Sequence, residues 1–198
     1  GSGTLTIIAT LLGNGNYNQS ITSTVIVIGK STPTLVFSPL PSGMLVGLTQ
    51  TVSATSTTSL VDNGGGISYT LGSGTGSGTI NSSTGLLTAM GSGTLTIIAT
   101  LLGNTNYNQS VTSTVIVIGK STPTLVFNPL PSGMVVGITQ TVSATSTTSL
   151  VDNGGGISYT LGLGTGSGTI NSSTGLLTAK GSGTLTIIAT LLGNGNYN

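Results

Sequence analysis

Very few side chains in this 198-residue sequence can do acid–base chemistry: Lys30, Lys120, Lys180, Asp62 and Asp152. The sequence contains no His, Cys, Glu or Arg. Ser and Thr hydroxyls abound, but nucleophilic catalysis needs a neighbouring base to take the proton, and neither His nor Glu is there to serve. Asp62 and Asp152 occupy the same place in two copies of one repeat, so they do not form a paired acid/base site. Each opens a "DNGGG" loop (62–66 and 152–156). Asp and Asn oxygens are hard ligands, but calcium takes six to eight oxygens, usually with several carboxylates. One Asp per loop reads instead as an Asx turn followed by glycines. The glycine-rich "LGSGTGSGTI" (71–80) has the composition of a phosphate loop. It fits no G-x-G-x-x-G register, no Lys follows it, and a strand rather than a helix N-terminus comes next. Without cysteine, disulfides, thiolate chemistry and Cys-ligated metals are excluded. The expectation is therefore a non-enzyme, with no catalytic, cofactor-binding or metal-binding residue and no cofactor.

Two other groups of residues are candidates for recognition. Tyr17, Tyr107 and Tyr197 sit in repeated "NYN" turns, and Tyr69 and Tyr159 in strands. An exposed Tyr in a turn can bind sugar or pack over the end of a sandwich, and packing is the simpler reading. Asn18, Asn81, Asn108 and Asn171 head N-x-S/T sequons, a weak signal in a chain so rich in Ser and Thr. Charged residues make up 3% of the chain and its net charge is +1, against a usual charged share of about 25%. Such a chain has no field with which to attract nucleic acid or an anionic membrane. Mean hydropathy is +0.44, yet no apolar run approaches the roughly 20 residues of a spanning helix, so membrane insertion is not expected.

The elements that position these residues follow from self-comparison. Residues 1–90 align without a gap on 91–180, a 90-residue period. The two copies differ only at Gly15/Thr105, Ile21/Val111, Ser38/Asn128, Leu45/Val135, Leu48/Ile138, Ser73/Leu163 and Met90/Lys180. A third, partial copy runs from 181 to 198 and repeats residues 1–18. Ninety residues is the size of a small all-β domain rather than a solenoid unit. One period predicts seven strands: A (32–37), B (49–56), C (67–71), D (78–81), E (85–89), F (93–102) and G (111–119). Strand B should turn Val52 and Ala54 inward, strand C Ile67, Tyr69 and Leu71, and strand F Leu95, Ile97, Ala99 and Leu101. Period-two alternation with one buried face requires an antiparallel sandwich, and β-branched residues with frequent glycine argue against helix.

"TINSSTGLLTAMGSGTLTIIAT" (79–100) resembles the second half of bacterial immunoglobulin-like modules of the BIG2 type. "GNTNYNQSVTSTVIVIGKSTPTLVF" (103–127) resembles the last strand and linker of related tandem modules on bacterial surface proteins. The resemblance covers the whole chain and implies tandem Ig-like antiparallel β-sandwiches of about seven strands each. It further implies an extracellular, cell-surface location. Some bacterial Ig-like modules carry a Lys–Asn isopeptide cross-link assisted by a buried acid. The corresponding residue types are Lys120, Asn108 and Asp152, with counterparts Lys30, Asn18 and Asp62. Lys120 falls at the junction between modules, where a lysine is normally solvated.

In this frame residues 1–30 supply strands F and G of a preceding module, 31–120 a complete module, and 121–198 a module without its last strand. Two expectations cover the ends: a window on a longer repeating chain, or strand donation, with 19–30 of one molecule completing 121–198 of the next. Strands F and G carry apolar residues on both faces (Ile98 and Leu102 on F; Ile116 and Ile118 against Val115 and Val117 on G), which points to a sheet covered on both sides. The functional expectation is a structural repeat region of an extracellular bacterial surface protein or filament. Its partners would be copies of itself, packed end to end or laterally. The alternatives are an adhesin stalk, a module binding surface glycans, or a spacer in a secreted enzyme.

Overall fold

The computed structural model describes residues 1–40, 43–56, 66–130, 133–146 and 156–198. Every regular element among them is a β-strand. Residues 1–30 form one antiparallel hairpin, β1 (Gly3–Leu11) and β2 (Ser20–Ile28), nine residues each. The next copy contributes β3 (Leu35–Phe37), β4 (Met44–Leu45), β5 (Thr49–Thr51), β6 (Ala54–Ser56), β7 (Ile67–Leu71), β8 (Ser77–Ile80), β9 (Leu86–Gly91), β10 (Gly93–Leu101) and β11 (Ser110–Gly119). The last contributes β12 (Leu125–Phe127), β13 (Thr139–Thr141), β14 (Ala144–Ser146), β15 (Ile157–Leu161), β16 (Ser167–Ile170), β17 (Leu176–Gly181) and β18 (Ile187–Leu191).

In 31–120 one sheet runs β4-β11-β10-β7 and the other β5-β9-β8, with β3 paired to β6. In strand letters these are A′-G-F-C and B-E-D, the two sheets of an immunoglobulin-like sandwich. Their inner faces meet in one core: Leu87, Ala89 and Val52 from one sheet, and Tyr69, Leu95, Ile97, Ala99, Ile116 and Ile118 from the other. The predicted inward residues of strands B and F are all buried, as is Tyr69 in strand C, with Ile67 and Leu71 half-buried. The register explains why: Ile97, Ala99 and Leu101 stand opposite Leu71, Tyr69 and Ile67, so every second residue of both strands faces the other sheet.

Strands D to G keep within two residues of their expected bounds, whereas A and B differ in kind. Strand B is two short strands, because β5 pairs with β9 while β6 crosses to β3. Between them the N–H of Val52 goes to Gly85 O at 2.9 Å, and Ser53 O accepts the Ser38 N–H at 2.9 Å. Strand A is shorter than predicted at its start, and a further strand, β4, pairs parallel with the end of β11 (Ile118 opposite Met44, Gly119 opposite Leu45). A two-residue parallel pairing leaves no periodicity in the sequence by which to predict it.

The chain contains its own control. "GTLTIIATL" occurs as β1, as β10 and at 183–191. In β10 it is a nine-residue strand between β11 and β7 with its alternate residues buried. In β1 it is a nine-residue strand with every residue exposed. In the last copy the strand is Ile187–Leu191, paired with β15.

Candidate functional site: the junction between modules

The residues weighed as catalytic or metal-binding do not come together among the described residues. Asp62 and Asp152, and with them the "DNGGG" loops up to 65 and 155, lie outside the described residues. Groups of three or more His, Cys, Asp or Glu are absent among the described ones. The "LGSGTGSGTI" segment runs from the end of β7 through a turn at 72–76, laid on strand F, into β8. Its Gly72 and Gly76 N–H groups donate to Thr96 O and Thr94 O, both at 2.8 Å, and a side chain at Gly74 would collide with Thr94 O. Donors already held by carbonyls cannot cradle an anion.

Asn81 is a turn former. Its Oδ1 accepts the N–H groups of Ser83 at 3.0 Å and Thr84 at 2.9 Å, and Asn171 repeats this at 3.0 and 2.9 Å. The phenol oxygens of Tyr69 and Tyr159 accept the buried N–H groups of Ala54 at 3.0 Å and Ala144 at 3.1 Å. Both tyrosines are core residues, as expected.

What the fold does bring together is the F–G turn of one module and the opposite end of the module before it. The turn is built locally. Asn104 Oδ1 accepts the N–H groups of Asn106 at 2.8 Å and Tyr107 at 2.9 Å, and the Asn104 N–H donates to Tyr107 O at 2.9 Å. Such side-chain-to-backbone bonds are the reason Asn is preferred here. Facing the turn are the linker (30–32) and Ser2, just before β1. Asn106 Oδ1 accepts the Ser2 N–H at 2.9 Å, and Ser2 Oγ donates to Thr105 O. Lys30 Nζ donates to Asn104 O at 2.6 Å. The Ser31 N–H goes to Asn106 O at 3.0 Å, and Ser31 O accepts the Asn108 N–H at 2.8 Å. Asn108 Nδ2 reaches Thr32 Oγ1 at 3.0 Å.

The same contacts recur ninety residues on. Asn196 Oδ1 accepts the Ser92 N–H at 3.0 Å and Ser92 Oγ donates to Gly195 O. Lys120 Nζ donates to Asn194 O at 2.7 Å. Ser121 makes the same two main-chain bonds, with Asn196 O and the Asn198 N–H, at 3.0 Å each. Asn198 Nδ2 meets Thr122 Oγ1 at 3.0 Å. Lys120 is thus directed to the main chain of Asn194, while the Asn108 amide is held by Thr32. Both lysines are solvent-exposed.

Tyrosine completes the junction. Tyr197, carried by the last module's F–G turn, is 7% exposed and belongs to the core cluster of 31–120, with Met44, Val46 and Ile118. The core cluster of its own module is built from Val142, Ala144, Tyr159 and Leu177. The "NYN" tyrosine therefore packs over a sandwich end, but that end is the neighbour's. Sequence reasoning missed this because the turn reads as local. The signal available was its recurrence at a fixed spacing from the "GKSTPT" linker.

No family model matches the chain, and no curated protein matches it. Among solved structures it is similar to mouse cadherin-23 EC22-24 (20% identity, 96% of this chain and 69% of that one, TM-score 0.37). It is likewise similar to Drosophila N-cadherin EC1-3 (17%, 95% and 72%, 0.35) and to human CDH23 EC21-23 (20%, 89% and 65%, 0.34). The class that the strand topology defines is all-β, a series of tandem immunoglobulin-like sandwiches.

Proposed function

We propose that this chain is a non-catalytic structural repeat region of an extracellular bacterial surface protein or filament, with modules of the bacterial immunoglobulin-like BIG2 type. The observation that supports this reading best is the junction itself. One set of polar contacts recurs at 30–32 with 104–108 and at 120–122 with 194–198, with matching partners and nearly matching distances. A repeated junction of one geometry gives reach by addition, about 26 Å per module for strands of roughly eight residues at 3.3 Å each.

Lateral packing of copies is the companion proposal. The outer face of strands F and G leaves Val111, Val115, Val117 and Leu102 exposed, and a low-charge surface offers little repulsion against such packing. Burial of Tyr197 in the junction supports packing over sugar stacking as the use of that tyrosine. Small-angle scattering of the 198-residue chain tests the reading, with a glycan array beside it. The expected outcome is an extended profile and no saturable glycan binding. A compact profile with modules side by side, or sugar binding that saturates, overturns it.

A further inference from the structure

The F–G turn occurs three times with one internal geometry. The leading Asn Oδ1 accepts the N–H groups two and three residues on at 2.9 and 3.1 Å in the first copy, 2.8 and 2.9 Å in the second, and 2.8 and 3.0 Å in the third. Its own N–H donates to the Tyr carbonyl at 2.9, 2.9 and 3.0 Å. Tyr107 on this turn is half-buried, and Tyr197 is 7% exposed within the core cluster of 31–120. A turn whose shape is set by its own hydrogen bonds gives up little conformational freedom on docking.

From these observations we infer that the end of module 31–120 is a receptor site for an Asn-x-Asn-Tyr hairpin tip, and that its occupation by the following module couples the stability of the two. The inference deepens the structural reading above and rests on it.

Each position of the tip has its own task. The first Asn builds the turn and lends its carbonyl to the lysine. The second offers Oδ1 to the N–H of Ser92, and Tyr fills the apolar end of the core. Position x is contacted through its main-chain carbonyl, by Ser2 at Thr105 and by Ser92 at Gly195. This is the position at which the three tips differ: Gly15, Thr105 and Gly195.

The receiving end is the seam where β4 meets the end of β11. There Met44, Val46 and Ile118 are buried, and the Val46 N–H donates to Gly119 O at 3.1 Å. A two-residue parallel pairing is weak by itself. A tyrosine against its apolar side buries area that the module cannot bury alone. Tip and seam lie on different copies, so each copy fits a neighbour of its own kind. Coupling of this sort adds a nearest-neighbour term to every module's own stability.

Amide hydrogen exchange and tyrosine nitration on the 198-residue chain test the inference. Tyr197→Ala is expected to speed exchange tenfold or more at 43–48 and 116–119, leaving 77–80 and 157–161 as before. In the unsubstituted chain tetranitromethane should modify Tyr197 more slowly than the half-buried Tyr107. Val46→Ser in the receiving end should raise Tyr197 reactivity severalfold while Tyr69 stays protected.

Unchanged exchange at 43–48 and 116–119 in Tyr197→Ala overturns the coupling, as does a Tyr197 that nitrates as fast as Tyr107. If this happens while the scattering profile stays extended, the structural reading survives and the receptor site alone is lost.

Discussion

At the scale of single residues, the polar side chains of this protein hydrogen-bond largely to the backbone. Asn14, Asn104 and Asn194 fold the F–G turns, Asn81 and Asn171 fold the D–E turns, and Tyr69 and Tyr159 satisfy buried N–H groups. A chain with so few charges has to find its hydrogen-bond partners among amides and hydroxyls, and the fold supplies them. Tyr69→Phe removes the acceptor of the buried Ala54 N–H while keeping the ring. The expected cost is about 1–3 kcal/mol, the penalty of leaving a buried donor unpaired. Denaturant unfolding of the variant measures it, and a loss near zero would mean that another acceptor takes over. Residues that differ between the copies, such as Ile21/Val111, Leu48/Ile138 and Met90/Lys180, lie at the surface, where substitution has little effect on packing.

At the scale of strands, burial follows the alternation of β10, where Ile97 is 0% exposed. Ile97→Ala is expected to cost about 2–5 kcal/mol through lost burial and the cavity left behind. Thermal unfolding of the variant checks this, and a loss near zero would mean that the core closes over the gap. The strand pattern and its inward residues were legible in the sequence, since alternation needs no tertiary information. The splitting of strand B and the existence of β4 were not. A crossing of partners at Val52–Ser53 and a parallel pairing at Met44–Leu45 are decided by which strand lies alongside.

Over the whole molecule, cohesion comes from apolar burial and from hydrogen bonds repeated at each junction. Lys30 and Lys120 donate to main-chain carbonyls of the next module. With five charged side chains in 198 residues, screening has little to act upon. Stability is expected to change by less than about 0.5 kcal/mol between roughly 0.05 and 0.5 M sodium chloride, where the Debye length falls severalfold. Denaturant midpoints across that range provide the check, and a marked loss at high salt would reveal an ion-pair contribution.

The sequence by itself determined the 90-residue period, the all-β class, the turn residues and the faces of the strands. Each of these follows from local preference or from a pattern of period two, which a chain carries wherever it lies. The absence of His, Cys and Glu was equally plain to read, and with it the expectation of a non-enzyme. Tertiary structure alone decided the fate of the "NYN" tyrosine. A turn whose internal geometry is local carries Tyr197 into another module's core. Burial is a property of the neighbour as much as of the residue, and no local pattern records which neighbour the chain will supply.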